Sequence, residues 1–112
     1  MSEFKNASKK NSDENVQEND IQFLIFLQDF IDKRKQEMPE GSYTTSLFEQ
    51  GTRTISQKVG EEDVEVVIGA MANDDENFIY ECGDLLYHLV VLLSHKGYRI
   101  EDVVRELKKR HS

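Results

Sequence analysis

The apolar positions of this chain recur with helical rather than strand spacing. From residue 20 onward, apolar side chains return every three or four positions, and no segment alternates steadily between polar and apolar residues. The breaks between the periodic segments carry Gly, Pro, Asn and Asp in the arrangements that are typical of helix ends. This pattern predicts an all-α fold with four main helices and one short helix.

The first predicted helix begins after Asp20, whose carboxylate can cap it, and ends in the basic cluster 33–35. Residues 39–42 then break the helix. Its predicted apolar face contains Ile21, Leu24, Leu27, Phe30 and Ile31, widened by Phe23 and Phe26.

The remaining helices are predicted from their caps and closing glycines. Thr44 or Thr45 begins a short helix closed by Gly51, and Thr52 can cap a helix over about residues 53–72. The turn at 73–75 provides a cap for a long helix over about 75–96, which Gly97 closes. A last helix follows from Ile100 to about residue 109.

The first 19 residues differ in composition from the rest of the chain. They are mostly Lys, Asn, Ser, Glu and Asp, with Phe4 and Val16 as the large apolar side chains besides methionine. So little apolar surface cannot offset the entropy lost on ordering. We therefore expect a disordered tail over 1–19 and one all-α domain over 20–112.

Length and composition exclude several classes of protein. The 112 residues allow one domain, and a net charge of −8 argues against a general nucleic-acid binder, which needs a basic face. The single cysteine, Cys82, excludes a disulfide within the chain and suggests a reducing, cytoplasmic location. The longest apolar stretch, 21–31, is too short to span a membrane and contains three polar residues.

The acidity is concentrated in one segment. Residues 53–84 carry two basic and nine acidic side chains, which leaves a charge of −7 out of the total of −8. On a helical projection at about 100° per residue, the helix predicted over 53–72 carries Lys58, Glu61, Glu62 and Glu65 within roughly 100° of its circumference. The acids of the next helix are confined to a narrower stripe.

That next helix is apolar over most of its circumference. Glu81, Asp84 and His88 lie within about 60° of one another, while leucines, valines and other apolar residues cover most of the remainder. A helix of this kind is expected to be buried. Its carboxylates would then need a partner, because buried, unpaired carboxylates are costly.

The spacing of the acids indicates a cation site. Glu62 and Glu65, and likewise Glu81 and Asp84, are three positions apart and so lie on adjacent turns of one helix face. Four carboxylate ligands, with no group of cysteines to bind a softer metal, favour Mg²⁺ or Mn²⁺ over Zn²⁺. Glu61 could be a fifth ligand or a base. A solvated acidic surface is the plain alternative, whereas a di-iron centre lacks its Glu-x-x-His motif here.

Two segments make the chemistry more specific. QKVGEEDVEVVI at 57–68 and ECGDLLYHLVVLL at 81–93 closely resemble the phosphoribosyl-ATP pyrophosphohydrolase family, which belongs to the all-α, MazG-like nucleoside-triphosphate pyrophosphohydrolase superfamily. PEGSYT at 39–44 and the final EL..RH at 106–111 extend the resemblance over about residues 22–111. The superfamily motif, Glu-Glu-x-x-Glu followed by Glu-x-x-Asp, maps onto Glu61, Glu62, Glu65, Glu81 and Asp84.

The resemblance implies hydrolysis of phosphoribosyl-ATP to phosphoribosyl-AMP and pyrophosphate, the second step of histidine biosynthesis. Glu62, Glu65, Glu81 and Asp84 would then bind Mg²⁺, and Glu61 would orient or deprotonate the water. Lys58 either contacts a phosphate or neutralises its acidic neighbours. Candidates for substrate binding are Ser42, Tyr43, Thr44 and Arg34, with turn chemistry, capping and a basic helix end as the alternative roles.

Two other functions share parts of this pattern. A house-cleaning pyrophosphohydrolase acting on dNTPs would use the same metal ligands, although PEGSYT and the Tyr87-His88 pair favour the histidine pathway. A non-enzymatic helical dimerisation module is the third hypothesis. In each case about 90 ordered residues form a small core, so we expect a homodimer that buries the most apolar helix.

Overall fold

The computed structural model describes residues 17–111, and these residues form five α-helices with no strand among them. The all-α prediction of four main helices and one short helix is confirmed. The helices are α1 (Gln17–Glu37), α2 (Tyr43–Gln50), α3 (Thr52–Met71), α4 (Asp75–His95) and α5 (Ile100–His111).

Three of the predicted helix starts are wrong. Helix α2 begins at Tyr43 rather than at Thr44 or Thr45.

Helix α1 already includes Gln17, so Asp20 lies inside the helix rather than at its cap. The part of the predicted tail before residue 17 lies outside the described residues. Gly51, with φ of 91°, occupies the cap position of α3 and supplies no side-chain bond, so Thr52 belongs to the helix itself.

Other helix ends agree with the sequence. The Asp74 side chain accepts a hydrogen bond from the Asn77 backbone N–H and caps α4. At the other end, Tyr98 N–H donates to the Leu93 carbonyl at 2.8 Å, and Gly97 has φ of 85°. A left-handed glycine with this backbone bond is the Schellman ending, in which a side chain other than glycine would be strained.

The core lies where the first four helices meet. Ile31 of α1, Ile55 of α3 and Val90 and Val91 of α4 are each 0% exposed. Leu47 and Phe48 join them from α2, so the short helix fills the space between the longer ones. Burial of these branched and aromatic side chains supplies most of the driving force that holds the four helices together.

Part of the expected apolar surface stays exposed in the single chain. Leu24, Leu27 and Ile31 of α1 face the core, whereas Phe23, Phe26 and Phe30 are 58%, 58% and 39% exposed. Ile21 is exposed as well, so the predicted apolar face of α1 is only partly covered. One chain has too few helices to cover every apolar face.

Helix α4 shows the same incomplete burial. Val90 and Val91 are buried, but Ile79, Tyr80 and Leu86, nearer its N-terminus, are 51%, 45% and 38% exposed. The expectation that this helix is buried therefore holds only for its C-terminal half within one chain.

A polar junction ties α1 to the turn between α4 and α5. Gln28 is 0% exposed; its Oε1 accepts from the Ile100 backbone N–H at 2.8 Å, and its Nε2 donates to Asp32 at 3.1 Å. The Arg99 guanidinium forms ion pairs with Asp29, Asp32 and Glu101 at 2.9 to 3.0 Å. The hydrogen bond from Arg99 lowers the pKa of the Glu101 carboxyl.

Helices α3 and α4 form an antiparallel hairpin and are the most extensively packed pair in the fold. The connection at 72–74 is short, and Asn73 adopts φ of 59° there. This pairing places the acidic stripes of the two helices side by side.

Among the described residues, no helix is both long and apolar enough to cross a membrane. The cytoplasmic location expected from the sequence stays a prediction.

Candidate metal centre and substrate loop

Three carboxylates from the α3–α4 hairpin converge at one place. One oxygen of each of Glu62, Glu81 and Asp84 lies within 4.8 Å of the others, and all three side chains are half-buried. We call these residues the carboxylate triad. Glu81 and Asp84 are neighbours because they are one turn apart on α4, whereas Glu62 reaches them only through the packing of α3 against α4.

The electrostatics of the triad show unbalanced negative charge. Partial burial raises the pKa of the Glu81 carboxyl, and the charges of Glu62 and Asp84 raise it further. A hydrogen bond with Glu62 acts in the same direction. The triad is therefore a place where a positive charge would be strongly stabilised.

Glu65 stands at the edge of this arrangement. It is exposed and lies outside the group whose oxygens are within 4.8 Å, although its charge also helps to raise the pKa of Glu81. Of the four ligands predicted from the sequence, the structure thus brings three together and leaves the fourth nearby.

Glu61 and Lys58 interact with each other on the exposed side of α3. The Lys58 ammonium lies 3.6 Å from a Glu61 oxygen, and Gln57 Nε2 donates to Glu61 at 3.1 Å. Of the two roles considered for Lys58, charge neutralisation is the one visible here. The Lys58 charge also acts on Tyr43, since it opposes the rise in the pKa of that phenol.

Tyr43, the first residue of α2, follows the loop at 38–42 and reaches across to α4. Its hydroxyl lies 2.8 Å from Nε2 of His88, which is 5% exposed. Desolvation is the largest cause that raises the pKa of the Tyr43 phenol; Glu62 and Asp84 add to it. The hydroxyl is therefore close enough to the carboxylate triad to feel its charge.

Thr44 and Ser42 make structural contacts. The Thr44 hydroxyl is hydrogen-bonded to the Tyr87 hydroxyl, and Thr44 is buried. Ser42 Oγ accepts from the Thr45 backbone N–H at 3.2 Å and caps α2. Ser42 and Tyr43 also line a groove of about 430 Å³ with Glu40, Thr45 and neighbouring residues, so the loop does border a concave surface.

Arg34 lies away from these contacts, with its guanidinium stacked 4.6 Å from the centre of the Phe30 ring on its own helix. Arg34 also lies in the last turn of α1, as the alternative role at a basic helix end requires. Its predicted role in substrate binding stays a prediction.

Sequence reasoning placed His88 on the acidic stripe but gave it no partner. In the structure, His88 Nδ1 lies 2.8 Å from the Asp84 backbone carbonyl, and its Nε2 faces Tyr43. The signal in the sequence was its projection next to Glu81 and Asp84. Its partner Tyr43 lies 45 positions away along the chain, so helical spacing alone could not predict this contact.

The donor set of the triad fits a hard divalent cation. Mg²⁺ binds carboxylate oxygens and usually keeps several waters, so two or three protein carboxylates on one open face suit it. Cys82 is half-buried and is not part of the triad. Glu62, Glu81 and Asp84 are thus the residues that could hold Mg²⁺. Glu65 lies close enough for its charge to add to that of the triad.

Comparison with known proteins agrees with this chemistry. The family model described as phosphoribosyl-ATP pyrophosphohydrolase matches residues 24–111. The chain belongs to the phosphoribosyl-ATP pyrophosphohydrolase family. The match includes the carboxylate triad, residues 42–44 at the start of α2, and the polar junction around Gln28, and it confirms the resemblance found in the sequence.

Curated relatives of the family are of two lengths. A phosphoribosyl-ATP pyrophosphatase of Leptospira biflexa is 45% identical over 92 residues, which cover 82% of this chain and 100% of that protein. The histidine biosynthesis bifunctional protein HisIE of Bacteroides thetaiotaomicron is 63% identical over 95 residues, covering 85% of this chain and 47% of that protein. The HisIE protein of Thermotoga maritima is 50% identical over 88 residues. The chain spans about half the length of these bifunctional relatives.

Proposed function

We propose that this chain hydrolyses phosphoribosyl-ATP to phosphoribosyl-AMP and pyrophosphate with the help of Mg²⁺. The convergence of Glu62, Glu81 and Asp84 in a member of this family is the observation that carries the proposal. Water adds to the phosphorus at the cleaved linkage between the α- and β-phosphates, pyrophosphate leaves, and the proton of the water passes to a base. The Leptospira relative, which is named for this activity, is matched over its whole length by 82% of this chain.

The protein's own residues account for the need for a cation. A triphosphate and an acidic hairpin repel one another. Partial burial raises the pKa of Glu81, and the charges of Glu62 and Asp84 raise it further. When bound, Mg²⁺ supplies the positive charge that offsets both the carboxylates and the phosphates. Glu62, Glu81 and Asp84 would hold it, and Glu65 could complete the set.

Glu61 is our candidate for orienting or deprotonating the water. It borders the triad on α3 and is exposed, so water reaches it. The Lys58 ammonium lies 3.6 Å from a Glu61 oxygen and is placed where it could also meet a phosphate. Tyr43 borders the triad from the loop side and is our main candidate for contact with the substrate.

The test is release of pyrophosphate from phosphoribosyl-ATP beside each of the four dNTPs, with Mg²⁺ and with EDTA. We expect turnover of phosphoribosyl-ATP that EDTA abolishes and much slower turnover of the dNTPs. Faster turnover of a dNTP would instead assign the chain to nucleotide house-cleaning, and absence of Mg²⁺-dependent turnover would leave a non-enzymatic module.

Isosteric variants locate the activity within the hairpin. Glu62→Gln and Asp84→Asn each remove one charge from the triad and should lower kcat by at least about 100-fold if charge stabilisation of this kind is lost. Asp63→Asn is the matched control, because Asp63 is exposed and projects from the opposite side of α3. It should retain wild-type turnover.

We further propose that the working form is a homodimer. Val64, Val67, Ile68 and Met71 are 53–82% exposed along one side of α3, and Ile79, Tyr80 and Leu86 are exposed on α4. An exposed stripe of large apolar side chains, such as this one on the α3–α4 hairpin, is typical of an interface. A second copy of this chain is the partner expected to cover it, since most soluble oligomers are homo-oligomers.

A further inference from the structure

Two pairs of side chains join the first turn of α2 to α4. Tyr43 is hydrogen-bonded to His88, and Thr44 to Tyr87. Both partners on α4 lie in the DLLYHL segment, three and four residues after Asp84. These residues are the ones whose presence distinguished the phosphoribosyl-ATP family from dNTP hydrolases in the sequence, and the structure shows that they contact each other.

The hydrogen bond between His88 and Asp84 determines which tautomer a neutral His88 ring adopts. The Asp84 backbone carbonyl can only accept, so Nδ1 of His88, 2.8 Å away, carries a hydrogen and donates it. In the neutral ring Nε2 is then an acceptor, and the Tyr43 hydroxyl donates its hydrogen to it. Both ring nitrogens are therefore used, as expected for a histidine that is 5% exposed.

This arrangement determines what the Tyr43 oxygen can do. Since its only hydrogen is directed to His88, the oxygen can offer lone pairs alone to any further partner. A phosphate oxygen also offers lone pairs and would be repelled. An O–H group, from a ribose or from water, would instead donate a hydrogen bond to it.

We propose that His88 is a positioning residue that holds the Tyr43 oxygen beside the carboxylate triad as an acceptor for an O–H group of the substrate or of the attacking water. The inference rests on the proposed function, because it assigns a role in that same site. The ring contacts support a rigid arrangement: Tyr43 and Tyr87 each meet His88 edge-on, at angles of 89° and 86° between ring planes. Thr44 and Tyr87 form the second connection between the same segments.

Kinetics of three variants test the proposal. Tyr43→Phe removes the acceptor and should weaken catalysis by about tenfold, the value of roughly one hydrogen bond. A rise in KM alone would identify a ribose hydroxyl as the donor, and a fall in kcat alone would identify the attacking water. Inhibition by pyrophosphate, which has phosphate oxygens only, should be unchanged; equal weakening of pyrophosphate binding would overturn the proposal.

Two substitutions of His88 separate positioning from general support of the fold. Gln can place an amide oxygen near the Nε2 position, so His88→Gln should retain most of the activity. Asn can replace only the Nδ1 donor, so His88→Asn should lose about as much activity as Tyr43→Phe. The double variant Tyr43→Phe/His88→Asn should be no worse than either single variant, because both remove the same interaction.

Additive losses in the double variant, or equal activity of His88→Gln and His88→Asn, would refute the positioning role. Thermal melts confirm that each variant folds, and Tyr98→Phe and His111→Asn serve as controls of the same chemical type at exposed positions away from the triad. Both controls should match the wild type.

One measurement does not depend on activity. The ¹⁵N chemical shifts of His88 at neutral pH should show the neutral Nδ1–H tautomer in the wild type, and either the Nε2–H tautomer or a doubly protonated ring would contradict the proposal. An inactive wild type with the Nδ1–H tautomer would contradict the proposed function but leave the Tyr43–His88 geometry standing. An active wild type without the Nδ1–H tautomer would support the proposed function but contradict the role given to His88.

Discussion

Gly69 of α3 lies directly against Phe78 of α4. A Cβ added at Gly69 would stand 3.1 Å from the Cα of Phe78, which is a backbone atom and cannot turn aside. Gly69 is buried, and the close approach is found one or two turns from the carboxylate triad on both helices. The glycine therefore sets the distance between the two helices that carry the carboxylate triad.

Gly69→Ala should push the hairpin apart. Overpacking costs about 1–3 kcal/mol, and the better helix propensity of Ala returns up to about 1 kcal/mol, so a net loss of roughly 1–2 kcal/mol is expected. Affinity for Mg²⁺ should fall as well, because Glu62 moves away from Glu81. Urea unfolding and calorimetric titration with Mg²⁺ measure the two effects.

Gly60→Ala is the matched control for that change. Gly60 is also inside α3, but a Cβ there meets no atom within 4 Å. It should stabilise the protein by about 0.5–1 kcal/mol. A similar gain for Gly69→Ala would mean that the contact with Phe78 relaxes at no cost.

Removal of a triad charge should stabilise the metal-free protein. The pKa of Glu81 is raised in the folded state, so the folded protein binds this proton more tightly than the unfolded chain does. The free energy of unfolding therefore falls as the pH rises through the ordinary carboxyl range and the raised pKa of the folded state, and it stays lowered at higher pH. Glu81→Gln removes the charge that causes this loss.

In EDTA, Glu81→Gln should therefore melt higher than the wild type at pH 7, and the difference should vanish toward pH 3. In Mg²⁺ the order should reverse, because the wild type gains the binding free energy of the ion and the variant has lost a ligand. Thermal melts across pH with either additive provide the comparison. A variant that melts lower in EDTA at pH 7 would show that the triad is not repulsive.

Gln28→Met should destabilise the protein although it makes the core more apolar. Gln28 is the acceptor for the Ile100 backbone N–H at the start of α5, and Met leaves that buried donor without its bond. The expected cost is about 1–3 kcal/mol in denaturant unfolding. Gln22→Met, at an exposed position of the same helix, should change stability by less than about 0.5 kcal/mol. Equal effects at the two sites would count against a role for the buried bond.

Charge on the apolar side of the hairpin should prevent dimer formation. Ile68→Glu and Ile79→Glu place carboxylates on the proposed interface, where burial without a partner is costly. Sedimentation velocity should show a dimer for the wild type and a monomer for each variant. Leu107→Glu, equally apolar and exposed on α5, should remain dimeric. A dimer that survives both hairpin changes would place the interface elsewhere.

The spacing of apolar residues along the chain was sufficient to predict much of the fold. The five helices, the Asp74 cap and the closing Gly97 follow from residues that act on their own neighbours. The errors at Asp20 and Thr52 have a local cause too. A polar residue can serve as a cap or as a member of the first turn, and the sequence around it does not decide between them.

The sequence by itself determined the all-α class, the family and the two acidic stripes, because a stripe depends only on spacing along one helix. Tertiary structure decided which carboxylates meet. It brought Glu62 to Glu81 and Asp84 and left Glu65 at the edge. It also decided that Gln28 is buried and that His88 holds Tyr43. The partners of Gln28 and His88 lie 72 and 45 positions away, and only the packing of helices brings such groups within hydrogen-bonding distance.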